Sequence, residues 1–138
     1  MLYALGMAGP LTIVGIGEAL FDRFPDDERP GGAPLNVAAC AHDLLAASGG
    51  RGVLVSRVGQ DGPGRRLAAV LRDRGLPDDW IQTDPDLPTG RVDVSFDGAG
   101  EPSFEIAGPA AWDALQFDPD LERLAPRCDG VCFGTLAQ

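Results

Sequence analysis

Residues 11–17 read LTIVGIG, an unbroken run rich in β-branched residues that predicts a strand buried on both faces, as in a parallel sheet. Residues 34–47, PLNVAACAHDLLAA, predict a helix. Proline suits a first turn, and Leu35, Ala38, Ala39, His42, Leu45 and Ala46 recur at helical spacing on one face. Gly49 and Gly50 end it. Residues 52–58, GVLVSRV, repeat the buried-strand pattern. Residues 64–74 repeat the helical one, with Leu67, Val70 and Leu71 inward and Gly75 as a C-terminal cap. Strand, helix, strand, helix is the order of a parallel sheet with right-handed crossovers, so the fold class is α/β.

Farther along, residues 91–96 alternate polar with apolar, residues 97–100 (DGAG) form a turn, and residues 103–106 extend again, which predicts a β-hairpin inserted into the α/β pattern. Asp118-Pro119 opens a short helix through Ala125, and residues 130–133 read as another buried strand. The sequence stops at Gln138 without the helix that such a strand normally feeds. The expectation is one domain that is unfinished on its C-terminal side.

The chain has 138 residues, the size of one domain, and 44% of them are hydrophobic, enough to fill a core. Its 19 Gly and 12 Pro fall below the share of roughly 25–30% that marks low complexity. A net charge of −10, with 11 basic residues scattered among 21 acids, argues against nucleic acid or an anionic membrane as partner. Every basic residue is Arg. The apolar opening has no basic residue before Arg23 and is interrupted by Glu18, short of the ~20 residues of a membrane span. Three cysteines, Cys40, Cys128 and Cys132, are too few and odd in number for a disulfide scaffold, so the expected compartment is the cytoplasm.

Several chemistries fail on spacing. Gly15-Ile16-Gly17 after a strand invites a dinucleotide site, but the third glycine of that fingerprint is replaced by Leu20. Residues 59–64 have the spacing of a phosphate loop, yet Arg65-Arg66 stands where Lys and Ser or Thr are required. The same stretch reads better as a strand-to-helix turn capped by Asp61. A zinc site needs about four ligands, and the chain offers one His and two neighbouring thiols, Cys128 and Cys132, which read as core or strand residues. His42 falls on the apolar stripe of a helix, away from any nucleophile, and reads as a packed histidine.

One cluster remains. Glu18 and Asp22 follow the carboxyl end of the first strand, where open α/β sheets bind ligands, and Gly31-Gly32-Ala33-Pro34-Leu35-Asn36 brings bare backbone and an amide to the next helix. Carboxylates accept hydrogen bonds from hydroxyls, an Asn side chain both donates and accepts, and glycine lets a ligand approach the main chain. The set suits a polyhydroxylated ligand such as a sugar.

These residues resemble the PfkB, or ribokinase-like, family of carbohydrate kinases. The resemblance rests on Gly15-Ile16-Gly17-Glu18 with Asp22, on the segment Gly31 to Asn36, and on Gly59-Gln60-Asp61-Gly62-Pro63-Gly64. It continues through Pro88-Thr89-Gly90 ahead of the hairpin and Val131-Cys132-Phe133-Gly134-Thr135-Leu136. The short path from Asp22 to Gly31 and the Ala111-Trp112-Asp113 segment look most like the fructokinase branch.

The resemblance implies a ribokinase-like parallel sheet flanked by helices with an inserted β-hairpin lid at about 89–106, and an enzyme that moves the γ-phosphoryl of ATP, with Mg²⁺, onto a sugar hydroxyl. It assigns Asp22 to sugar hydroxyls, Gly31 and Gly32 to backbone approach, Asn36 to a hydrogen bond with the sugar, and Phe104 to an apolar contact. The lid would also pair with a second copy in a homodimer. Members run to about twice this length and carry a downstream Gly-Ala-Gly-Asp segment that supplies the catalytic base and anion hole. Here Gly98-Ala99-Gly100 is followed by Glu101 in a hairpin turn. The chain is therefore expected to be the N-terminal, sugar-binding part of such a kinase. No catalytic residue lies in it, and neither ATP nor Mg²⁺ is expected to bind this chain alone. Two alternatives stand beside this reading. One is a non-catalytic sugar-binding or dimerising domain, and the other is a nicotinamide-dependent oxidoreductase resting on Gly15 and Gly17.

Overall fold

The computed structural model describes residues 9–137. In chain order the elements are β1 (Thr12–Ile16), β2 (Leu20–Arg23), β3 (Glu28–Gly31), α1 (Ala33–Leu45), β4 (Arg51–Gly59), α2 (Gly62–Asp73), β5 (Ile81–Asp84), β6 (Gly90–Phe96), β7 (Pro102–Ala107), α3 (Pro119–Leu124) and β8 (Gly130–Phe133), with short 3-10 turns between some of them. The elements form two four-stranded sheets. The first is parallel, in the order β5-β4-β1-β8, and the second is mixed, in the order β3-β2-β6-β7.

The first sheet follows from the buried runs. β4 alternates Val53 and Val55 toward one face with Leu54 and Val58 toward the other, and both faces are filled. Leu35, Ala38 and Ala39 of α1 and Leu67 and Leu71 of α2 pack with Leu54 and Val58. Leu121 and Leu124 of α3 pack with Val14, Val53 and Val55 on the opposite face. Burying Leu67 and Leu71 contributes about 1.5–3 kcal/mol each. At the β5 edge, Arg57 and Asp84 form an ion pair at 2.8 Å. Asp84 is held below the ordinary carboxylate range, chiefly by the backbone N–H groups of Leu87 and Asp86, with Arg57 adding to them.

Three differences from the sequence reading have physical causes. The buried stripe of α1 ends at Ala39, leaving His42 and Leu45 half-buried and Ala46 exposed, where the helix passes over Gly50 and Gly52, which have no side chains to cover it. Residues 130–133 form the expected strand, but Val131, Cys132 and Phe133 are exposed, since β8 is an edge and α3 covers only part of its face. The hairpin does not stand alone either. β6 pairs in parallel with β2, so the hairpin is one half of the second sheet.

β2, β3 and β5 lacked a legible signal. β3 contains Pro30, which an edge strand tolerates because its missing N–H faces away from the ladder. β1 feeds into β2 rather than into a helix, which removes the structural basis of a dinucleotide site.

Candidate functional site

β2 is fixed from behind. Phe21 is buried against α2, the Arg66 guanidinium lies 4.9 Å from its ring, and Arg66 also reaches Glu28 of β3 at 2.5 Å. Alternation along the strand then sends Leu20 and Asp22 to the opposite face. Leu20 enters a core with Val92, Val94, Ala110 and Trp112, while Asp22 stays half-buried on the same face. Burial pushes the Asp22 carboxyl above its ordinary pKa. The carboxylate lies directly over Gly31, where a Cβ would collide with Oδ2.

The next residue turns the chain into α1. Gly32 has φ 107°, in the region that favours glycine, and a Cβ there would stand 2.5 Å from the Glu18 carbonyl oxygen. Gly32 is the N-cap and offers no side-chain oxygen, so the first helical N–H, of Ala33, donates instead to Glu18 Oε1 at 3.2 Å. Glu18 is 2% exposed, which turns it away from the ligand contact expected of it and toward the helix start. Asn36, one turn into α1, donates its backbone N–H to the Gly32 carbonyl and keeps its side chain at the surface.

The hairpin extends the Asp22 face. Asp22 is in register with Val92, Val92 with Ile106, and Val94 with Phe104. Phe104 is 63% exposed and lies two strands and two residues from Asp22, about 12 Å between Cα atoms at ordinary sheet spacings. The Asp22 carboxylate thus lies against the Gly31 backbone, and the Phe104 side of the β6–β7 hairpin continues the same sheet face. A carboxylate of this kind accepts hydrogen bonds from hydroxyls, and an exposed aromatic ring can cover the apolar side of a small polyol.

The β6–β7 hairpin is anchored at its base. Asp61 caps α2 through Gly64 N–H at 2.8 Å and accepts from both the Thr89 hydroxyl (2.6 Å) and the Thr89 N–H (2.8 Å), and the Thr89 hydroxyl accepts from Gly59 N–H at 2.9 Å. The sequence predicted the cap. The link to Thr89 was not legible, since it joins residues 28 apart.

Residues 26–126 match the family described as pfkB family carbohydrate kinase. The chain belongs to this family. It is 35% identical over 143 aligned positions to fructokinase-1 of Zea mays, covering 94% of this chain and 43% of that protein. It is 36% identical over 93 residues to a fructokinase of Vibrio alginolyticus, covering 64% of this chain and 29% of that protein. Among solved structures, an uncharacterised sugar kinase of Pyrococcus horikoshii superposes with a TM-score of 0.76 at 27% identity, over 91% of this chain and 43% of that one, and has also been solved in complex with ATP. The fold is the ribokinase-like one of the pfkB kinases, and the chain spans less than half the length of these relatives.

Proposed function

We propose that this chain forms the sugar-binding part of an ATP-dependent sugar kinase, with fructose the leading substrate. The supporting observation is the Asp22 carboxylate held against Gly31, beside the turn that starts α1. Asp22 would accept hydrogen bonds from sugar hydroxyls, Gly31 and Gly32 would let the ring approach the main chain, Asn36 would hydrogen-bond its edge, and Phe104 would close over its apolar side. The fructokinase names of the relatives support the choice of ketose.

In the reaction so proposed, a sugar hydroxyl oxygen bonds to the γ-phosphorus of ATP as the bond to the ADP oxygen breaks, and the hydroxyl proton passes to a base. Such chemistry is mainly positioning and charge neutralisation, and the residues described here would do the positioning. Gly98-Ala99-Gly100 stands in the β6–β7 turn, and no group of three or more His, Cys, Asp or Glu among the described residues could hold a metal ion. On this reading the base, ATP pocket and Mg²⁺ belong to the complete enzyme rather than to this chain. No described helix is long and apolar enough to cross a membrane.

The exposed Phe96, Phe104 and Ile106 favour a second reading, a non-catalytic domain that binds sugar or pairs through the lid with another copy. An ATP-consumption assay with Mg²⁺ over ketoses, aldoses and nucleosides separates the two. It is run on this chain and on the chain extended through its natural downstream frame. Turnover only in the extended protein supports the kinase reading, and sugar binding without turnover in either supports the second.

A further inference from the structure

Glu18 is a buried carboxylate with an incomplete set of partners. Oε1 accepts from Ala33 N–H, while Oε2 is buried with no hydrogen-bond partner among the described residues. Leaving such an oxygen unmatched is unfavourable, and a neutral or apolar side chain of the same size would avoid the penalty. Two neighbours explain why the carboxylate sits there. Gly32 must lack a side chain, both for its φ and for its approach to the Glu18 carbonyl, so α1 cannot be capped by its own N-cap residue. Pro34 follows with no N–H to donate, and the Ala33 N–H beside the turn is the one that Glu18 accepts. On its other side the carboxylate is covered by Gly134, where a Cβ would stand 3.3 Å from both oxygens.

We infer that Glu18 is a positioning residue for sugar binding: from the end of β1 it supplies the cap that Gly32 cannot, and so holds Gly31, Gly32 and Asn36 in the arrangement that meets the sugar. The inference rests on the sugar-binding reading for its consequence, but the clamp itself is a property of the unliganded chain. A displaced Ala33 would tilt the first turn of α1, carrying Asn36 with it through the Asn36 N–H to Gly32 carbonyl bond of 3.0 Å.

The test compares Glu18→Gln, which keeps an oxygen acceptor, with Glu18→Met, which keeps the volume and loses it. Amide hydrogen exchange is followed at Ala33 in the ¹⁵N-labelled chain, and D-fructose affinity by calorimetry. Glu18→Met is expected to speed exchange at Ala33 by about tenfold with β4 amides unchanged, and to weaken fructose binding by a similar factor, whereas Glu18→Gln stays within about threefold of the parent in both. Unchanged Ala33 exchange in Glu18→Met, or equal losses in the two variants, overturns the clamp whatever the chain binds. Should Glu18→Met lose all protection by unfolding, Glu18→Gln alone decides: parent-like Ala33 protection supports the clamp and a tenfold loss overturns it. A parent chain that binds no ketose while Ala33 responds as expected overturns the sugar reading and leaves the clamp standing.

Discussion

Asp61 and Thr89 are joined twice, hydroxyl to Oδ1 at 2.6 Å and backbone N–H to Oδ2 at 2.8 Å, so one carboxylate both caps α2 and ties down the start of the β6–β7 hairpin. Burial works to raise its pKa and is outweighed by the hydrogen bonds from Thr89 and Gly64 and by the nearby Arg65, leaving the carboxyl below its ordinary value.

Asp61→Ala is expected to destabilise the chain by about 2–3 kcal/mol, a lost cap plus hydrogen bonds to a charged acceptor. The pH dependence has a definite sign. A carboxyl depressed in the folded state binds fewer protons there than in the unfolded chain, so its stabilisation is present above the unfolded value of about 3.9 and is lost as pH falls through the depressed one. Urea titrations at a series of pH values should show the acid limb flattened in Asp61→Ala. An unaltered limb would contradict the assignment.

For Asp22 the sign reverses. Burial raises its pKa, so in the unliganded fold its charged form is penalised, and this penalty is relieved as pH falls through the raised value. Sugar hydroxyls donate to the charged form, so fructose affinity should decline on acidification beginning above pH of about 3.9. Asp22→Ala should weaken binding by about 1–3 kcal/mol and abolish that pH dependence. Calorimetry across pH checks both, and unchanged affinity in the variant rules out Asp22 as a sugar ligand.

Gly32→Ala combines an unfavourable φ with a Cβ 2.5 Å from a carbonyl oxygen. A loss of about 1–3 kcal/mol in stability is expected from the backbone strain, together with weaker sugar binding. Thermal denaturation with and without fructose measures the two effects, and parent-like behaviour in both would mean that the turn rearranges freely.

Phe117, Val131 and Phe133 are exposed by 76%, 54% and 67%, and Phe117 and Val131 line an apolar groove with Val14, Ile16 and Leu121. Such a surface beside an open strand edge promotes association. Sedimentation of the isolated chain is expected to show oligomers, reduced in Val131→Arg. A monodisperse parent at working concentration would count against this.

Much of the first sheet could be read from periodicity, because LTIVGIG and GVLVSRV are buried on both faces and α1 and α2 carry narrow apolar stripes. β2, β3 and β5 could not. LFDR, ERPG and IQTD are four-residue segments whose hydrogen bonds depend on partners elsewhere in the chain, and β3 even carries a proline. The exposure of β8 was hidden for a related reason: an apolar run looks the same in a central strand and at an uncovered edge.

By itself the sequence determined the α/β order, the Asp61 cap and the residue types suited to a sugar, since these depend on local spacing and side-chain chemistry. Only the tertiary structure decided which of two neighbouring carboxylates is buried and which is partly open to solvent. Phe21 locks β2 against α2, so alternation turns Asp22 toward Gly31, whereas Glu18, four residues earlier, is buried and accepts the Ala33 N–H at the start of α1. That choice depends on contacts between β1, β2, α1 and α2, which no local pattern records.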